Sequence, residues 1–177
     1  MTFVVRLILN EEHLHGAVTA MLEGCRHRLF IATADVKNLH LPRPRGRSRS
    51  ILELFEELAA RGVEVRLLHS GVPSGAFLGE LKRHFPPALT MRRCPRVHVK
   101  AVVADAARMY LGSANLTGAG LGAKSPRRRN FEAGVWTDET ALIDPVLDML
   151  DGIWRGAHCG DCGRREHCPE PLEEPRL

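Results

Sequence analysis

The chain has 177 residues, of which 44% are hydrophobic and 26% charged. That is enough apolar material for one core, and it excludes both wholesale disorder and a pair of large domains. The formal charge is +4, and arginine supplies nearly all the positive charge, since only Lys37, Lys82, Lys100 and Lys124 are lysines.

Guanidinium groups suit phosphate, which they grip with two parallel donors. No apolar run reaches the roughly 18 residues of a membrane span. The opening MTFVVRLILNEEH lacks the basic flank and cleavage site of a signal peptide. The expectation is a cytoplasmic protein with no membrane contact.

Residues 2–9 read as a first strand, apolar and partly β-branched. Asn10 can cap a helix carrying Leu14, Val18, Met21, Leu22 and Cys25 at helical spacing. A short buried strand follows at 29–34. Ser50 and Glu53 form a capping box that opens a helix with Ile51, Leu54, Phe55 and Leu58 on one face, closed by Gly62. Residues 63–68 read as a strand, and a helix over 75–85 must stop at Pro86-Pro87. Strands are expected at 97–104 and 107–111, with Asp105 in the turn, and at 131–136. Asp144-Pro145 has the signature of a helix start, with Val146, Leu150, Ile153 and Trp154 as its buried face. The sum is about six strands and four helices, an α/β domain over residues 1–157 with a mixed β-sheet flanked by helices. Residues 158–177 make a separate, Cys-rich tail.

Two irregular segments carry the basic excess. Residues 41–50 hold Arg43, Arg45, Arg47 and Arg49, and residues 118–130 hold Lys124, Arg127, Arg128 and Arg129. Both are candidates for contact with a polyanionic backbone.

The most informative stretch is VHVKAVVADAARMYLGSANLT, residues 97–117. His98 and Lys100 are two apart on an expected strand, so they share a face. Asp105 follows five residues after Lys100, and Gly112-Ser113-Ala114-Asn115 comes after six more. The pattern is H-x-K-x4-D-x6-G-S-x-N. Six fixed residues at fixed spacing should arise by chance in roughly one such chain in a million. Displacement at a phosphodiester needs a nucleophile, charge neutralisation and a proton for the leaving oxygen. An imidazole can serve as nucleophile or acid. The Lys100 ammonium and the Asn115 amide can hold phosphate oxygens, and the Gly112-Ser113 turn can present a hydroxyl and backbone N–H groups to the same anion.

This pattern resembles the HKD motif of the phospholipase D superfamily. The resemblance implies a covalent phosphohistidine on His98, a second, equivalent histidine that protonates the leaving group, and no cofactor for catalysis. It implies for Asp105 a structural or orienting role. Asn130-Phe131-Glu132 is similar to the N-x-E element of the superfamily's nuclease-like branch, which implies that Glu132 orients His98. Because the chain holds one motif and the mechanism uses two histidines, the resemblance implies a homodimer with the two His98 side chains facing each other.

A dimeric nuclease acting on DNA or RNA is the reading that also uses the arginine segments. Alternatives are a phospholipase or phosphatidyl transferase, a non-catalytic nucleic-acid-binding module, and a subunit of a larger defence or repair complex. In the tail, Cys159, Cys162 and Cys168 form C-x2-C-x5-C, a spacing suited to metal. A structural zinc is expected, with His167 or His158 as the nearest fourth ligand and Cys94 or Cys25 as other candidates. The spacing also resembles the cysteine staple of some DNA-processing nucleases, which implies instead a 4Fe-4S cluster with Cys94 as fourth ligand.

Overall fold

The computed structural model describes residues 3–42 and 47–175. In chain order its strands are β1 (Val5–Leu9), β2 (Arg28–Thr33), β3 (His40–Leu41), β4 (Arg49–Ser50), β5 (Glu64–His69), β6 (Leu89–Arg93), β7 (Lys100–Ala104), β8 (Arg108–Gly112) and β9 (Ala133–Thr137). The α-helices are α1 (Thr19–Glu23), α2 (Ile51–Ala60), α3 (Gly75–Arg83) and α4 (Thr140–Trp154). Seven strands form one sheet in the order β1-β9-β8-β7-β2-β5-β6, and β3 pairs with β4 alone. Pairing is parallel across β2, β5 and β6 and antiparallel from β2 through β7, β8 and β9 to β1.

The central strands are apolar on both faces because both faces are covered. Leu29, Ile31, Val65 and Leu67 pack with α1, α2 and α3 on one side. Phe30, Ala32, Leu68 and Val103 pack on the other, against Ile143, Leu150 and Trp154 of α4. The result is the mixed sheet flanked by helices that the alternating pattern implied. No helix among the described residues is long and apolar enough to cross a membrane.

The capping box is formed as expected. The Ser50 hydroxyl accepts from the Glu53 N–H at 3.1 Å, and the Glu53 carboxylate accepts from the Ser50 N–H at 3.0 Å. Three boundaries differ from expectation. The first helix opens as a π-helical turn (His13–Val18) before α1. Asn10 does not cap it: it sits at φ 47°, and its side-chain oxygen accepts from the Glu132 N–H at 3.2 Å. The strand expected from residue 97 begins only at Lys100, so His98 stands in the lead-in segment, outside the ladder. Helix α4 starts well before Asp144, because the Glu139 carboxylate caps it by accepting from the Ala141 N–H at 3.3 Å. Pro145 is therefore internal, and the Ala141 carbonyl that its missing N–H leaves unpaired lies on the exposed side of the helix.

Candidate active site

Strand register brings the two halves of the motif together. Lys100, the first residue of β7, is opposite Gly112, the last of β8, and Gly112 is opposite Gly134 near the start of β9. The carboxyl end of β2 lies alongside, with Ala32 opposite Ala101. Loops leaving β2 and β8 and those entering β7 and β9 thus meet at one edge of the sheet, where open α/β sheets place ligands.

His98 is exposed and Lys100 is buried beneath it. The Lys100 Nζ donates to the His98 carbonyl at 2.8 Å and lies 3.3 and 3.4 Å from the two ring nitrogens. A fixed ammonium therefore sits directly under an accessible imidazole. His69 is a second histidine at the same edge, ending β5, but it is fully buried, with Nδ1 2.9 Å from the Gly71 carbonyl oxygen. Burial holds it below the usual histidine range, in the neutral form.

Asn115 is oriented from a distance. Its amide oxygen accepts from the Thr33 hydroxyl (3.2 Å) and from the backbone N–H groups of Ala34 (3.1 Å) and Asp35 (3.2 Å). With the oxygen occupied, the amide NH2 is the group left to meet an anion. Thr33 also accepts from the Leu116 N–H at 3.0 Å, so it clamps both sides of Asn115. Sequence reasoning missed Thr33, Ala34 and Asp35, which lie about 80 positions upstream with no spacing signal to link them.

The backbone of the Gly112-Ser113 segment is not free for a ligand as expected. The Ser113 N–H donates to the Ala133 carbonyl at 2.9 Å, and the Ala114 N–H to the Tyr110 hydroxyl at 3.3 Å. Gly112 is required for close packing, not for a turn. A Cβ there would stand 2.7 Å from the Ala133 oxygen and 2.7 Å from the Gly134 Cα, both backbone atoms. Gly112→Ala is expected to cost about 1–3 kcal/mol through overpacking. A thermal melt superimposable on wild type would show that the β8–β9 pair yields easily.

Glu132 does not reach His98 within the chain. Its carboxylate accepts from the Ser113 hydroxyl and from the Asn130 amide (2.9 Å). The expected orienting contact to His98 is thus replaced by one that positions Ser113.

Asp105 is not at the site. It occupies the β7–β8 turn at the far end of β7, roughly 15 Å of strand from Lys100. Its carboxylate gathers the N–H groups of Arg26 (3.0 Å), His27 (2.7 Å) and Arg28 (3.1 Å) and the Cys25 thiol (3.3 Å). Burial alone would raise its pKa, but the backbone donors of Arg28, His27 and Arg26 outweigh it and leave the carboxyl below its usual value. Such a group stabilises the fold fully above its unfolded value of about 4, and the gain is lost as pH falls through the lower folded value. Asn tolerates the left-handed backbone at this position (φ 56°). Asp105→Asn is therefore expected to cost about 1–3 kcal/mol at pH 7. The gap should close in denaturant titrations at pH 3, and a gap unchanged between the two would contradict the account.

The basic residues divide. Arg43 and Arg45 lie outside the described residues. Arg49 is buried and ion-paired to Glu23 and Glu57, so it belongs to the packing between α1 and α2 and is not available to a nucleic acid. Arg129 is paired to Glu11 at 3.0 Å. Arg47, Lys124, Arg127 and Arg128 are exposed. The last three stand on the segment that leaves Asn115 and returns at Glu132, both at the site edge.

The sequence matches the family model described as "Cardiolipin synthase, PLD-like domain" over residues 18–154. No curated protein matches it. Among solved structures it is similar to NucT from Helicobacter pylori, at 17% identity and a TM-score of 0.65, covering 87% of this chain and 97% of that one. It is also similar to the phospholipase D family member Nuc from Salmonella typhimurium, at 14% identity and a TM-score of 0.65, over 99% and 100% of the two chains. TrmBL2, an archaeal chromatin protein with a novel mode of DNA binding, shares the fold at a TM-score of 0.55 and 14% identity, over 85% of this chain and 52% of that one. Motif, fold and family model agree, and the chain belongs to the phospholipase D-like family.

Proposed function

We propose that this protein is a phosphodiesterase acting on nucleic acid, that it works through a phosphohistidine on His98, and that it does so as a two-fold homodimer. The observation that carries the reading is the stacking of exposed His98 over buried Lys100 beside a directionally held Asn115. In the first step a His98 ring nitrogen attacks phosphorus, and the bond from phosphorus to the leaving oxygen breaks. His98 of the partner subunit gives that oxygen its proton. The same imidazole then takes a proton from water, whose oxygen displaces His98 and releases the phosphate product. Lys100 and the Asn115 amide neutralise and orient the non-bridging oxygens throughout, which is why the reaction is proposed to need no metal.

Three features support the remaining parts. His13 and His69, which lie near this edge among the described residues, are both buried, which favours a second, accessible imidazole from another copy. Edge strand β1 and Phe3, two residues before it, expose an apolar row, with Phe3 at 46%, Val5 at 61%, Leu7 at 62% and Leu9 at 43%, a surface suited to self-association. The exposed Lys124, Arg127 and Arg128 flank the site and fit a polyanion better than a small diester. The DNA-binding chromatin protein TrmBL2 is a precedent for nucleic-acid binding by a protein that contains this fold.

The test is incubation of labelled single- and double-stranded DNA and RNA with the protein in EDTA, His98→Ala alongside, and phospholipid vesicles in parallel. Cleavage by wild type alone supports the reading. Hydrolysis of vesicles without cleavage of nucleic acid, or binding without turnover, would overturn it.

A further inference from the structure

Past α4 the chain turns at Gly156 (φ 77°) and folds back on the sheet edge. The return is fastened at β6, where the Arg93 N–H donates to the Glu173 carbonyl at 3.0 Å and the Arg93 guanidinium pairs with the Glu173 carboxylate. Between tail and domain lies a cavity of about 260 Å³. Four of the chain's five cysteines line it: Cys159, Cys162 and Cys168 from the tail, and Cys94 from the connection between β6 and β7. Val97, Ile153 and Leu172 are among its apolar walls, and His158 also lines it. Arg96, Arg164 and Arg165 also line it, with Arg96 Nη1 3.9 Å from the Cys162 sulfur.

Of the two histidines expected as zinc ligands, His158 lines the cavity and His167 does not; the His167 Nε2 is 3.1 Å from the Glu166 carboxylate, in solvent. A zinc ion with bonds of about 2.3 Å to sulfur would draw its thiolates to within about 3.8 Å of one another. Among the described residues no three histidine, cysteine or acidic side chains are gathered tightly enough to hold one ion. Four thiols spread round a cavity of this size instead match a ligand several atoms across that takes one sulfur at each corner. Iron–sulfur cubanes are bound in this way by four cysteine thiolates. With thiolate ligands such a body is anionic, which the three arginines offset.

We propose that Cys94, Cys159, Cys162 and Cys168 ligate a 4Fe-4S cluster that fastens the tail to the β6–β7 connection. Each thiol gives up its proton on binding iron, and the ferrous and ferric iron, in equal parts, and the sulfide come from outside the chain. Because Cys94 is four residues before His98, the cluster braces the segment that presents the nucleophile. The site itself does not depend on the phosphodiesterase reading, and its test needs no substrate.

The full chain is purified without oxygen, treated with ferrous and ferric iron in equal amounts and with sulfide, and desalted. Iron, acid-labile sulfide and zinc are then counted per chain, with an absorption spectrum. About four irons, about four sulfides and a broad band at about 400 nm are expected for wild type. Cys94→Ser should lose at least one iron and most of the band while keeping the wild-type far-UV circular dichroism. His167→Ala should keep both. Colourless protein holding about one zinc, folded protein that takes up no metal, or full colour in Cys94→Ser would each overturn the assignment.

Discussion

His98→Ala is expected to lower phosphodiester cleavage by about 10⁴-fold or more, the scale seen when a covalent nucleophile is removed. His98 is exposed and its ring has polar contacts only with Lys100 among the described residues, so the substitution is expected to leave packing intact and melting should not move. The loss then reads as chemistry. If each catalytic centre needs an imidazole from both copies, mixing has a further consequence. Wild type and His98→Ala, unfolded together and refolded at equal ratio, form about one quarter fully wild-type dimers. Activity should fall to about that fraction of the pure wild type, where independent sites would retain about one half. An activity that tracks the amount of wild-type chain linearly rules out the shared site.

Lys100→Met is the second large effect, at about 10²- to 10³-fold in kcat, comparable to removing one preorganised donor from a developing anion. Methionine keeps the buried stem and removes only the ammonium, so the comparison isolates charge from packing. Because that ammonium also holds the His98 carbonyl at 2.8 Å, part of the loss comes from a less fixed nucleophile. The two parts separate in titration with inorganic phosphate. Weaker phosphate binding reports the lost charge, and unchanged binding with the same fall in kcat reports positioning. A loss under about tenfold would remove Lys100 from the mechanism.

What the sequence made legible is set by how far apart the interacting residues lie. The Ser50–Glu53 box is a contact across three positions, and both hydrogen bonds are formed. The His98–Asn115 spacing spans one hairpin, whose register follows from its turn. Contacts across the sheet were not legible in the same way. Nothing in the chain ties Asn115 to Thr33, or sets Glu132 on Ser113 in place of His98, until β2, β7, β8 and β9 are laid side by side. Arg49 shows the opposite error. Its arginine-rich surroundings pointed to solvent, whereas its place at the start of β4 puts it between two carboxylates. Pro145 misled because a proline helix start and a proline one turn inside an exposed helix face look alike without the Glu139 cap.

The Asn115 amide has its own consequence. Since three donors from residues 33–35 fix its oxygen, the direction of its NH2 is a property of β2's last residue and the loop after it. Positions that never touch the substrate thereby set how well the pocket fits a tetrahedral anion. Drift at Thr33, whose hydroxyl is the one side-chain donor of the three, is a route by which this lineage can retune turnover while every residue of the motif stays the same.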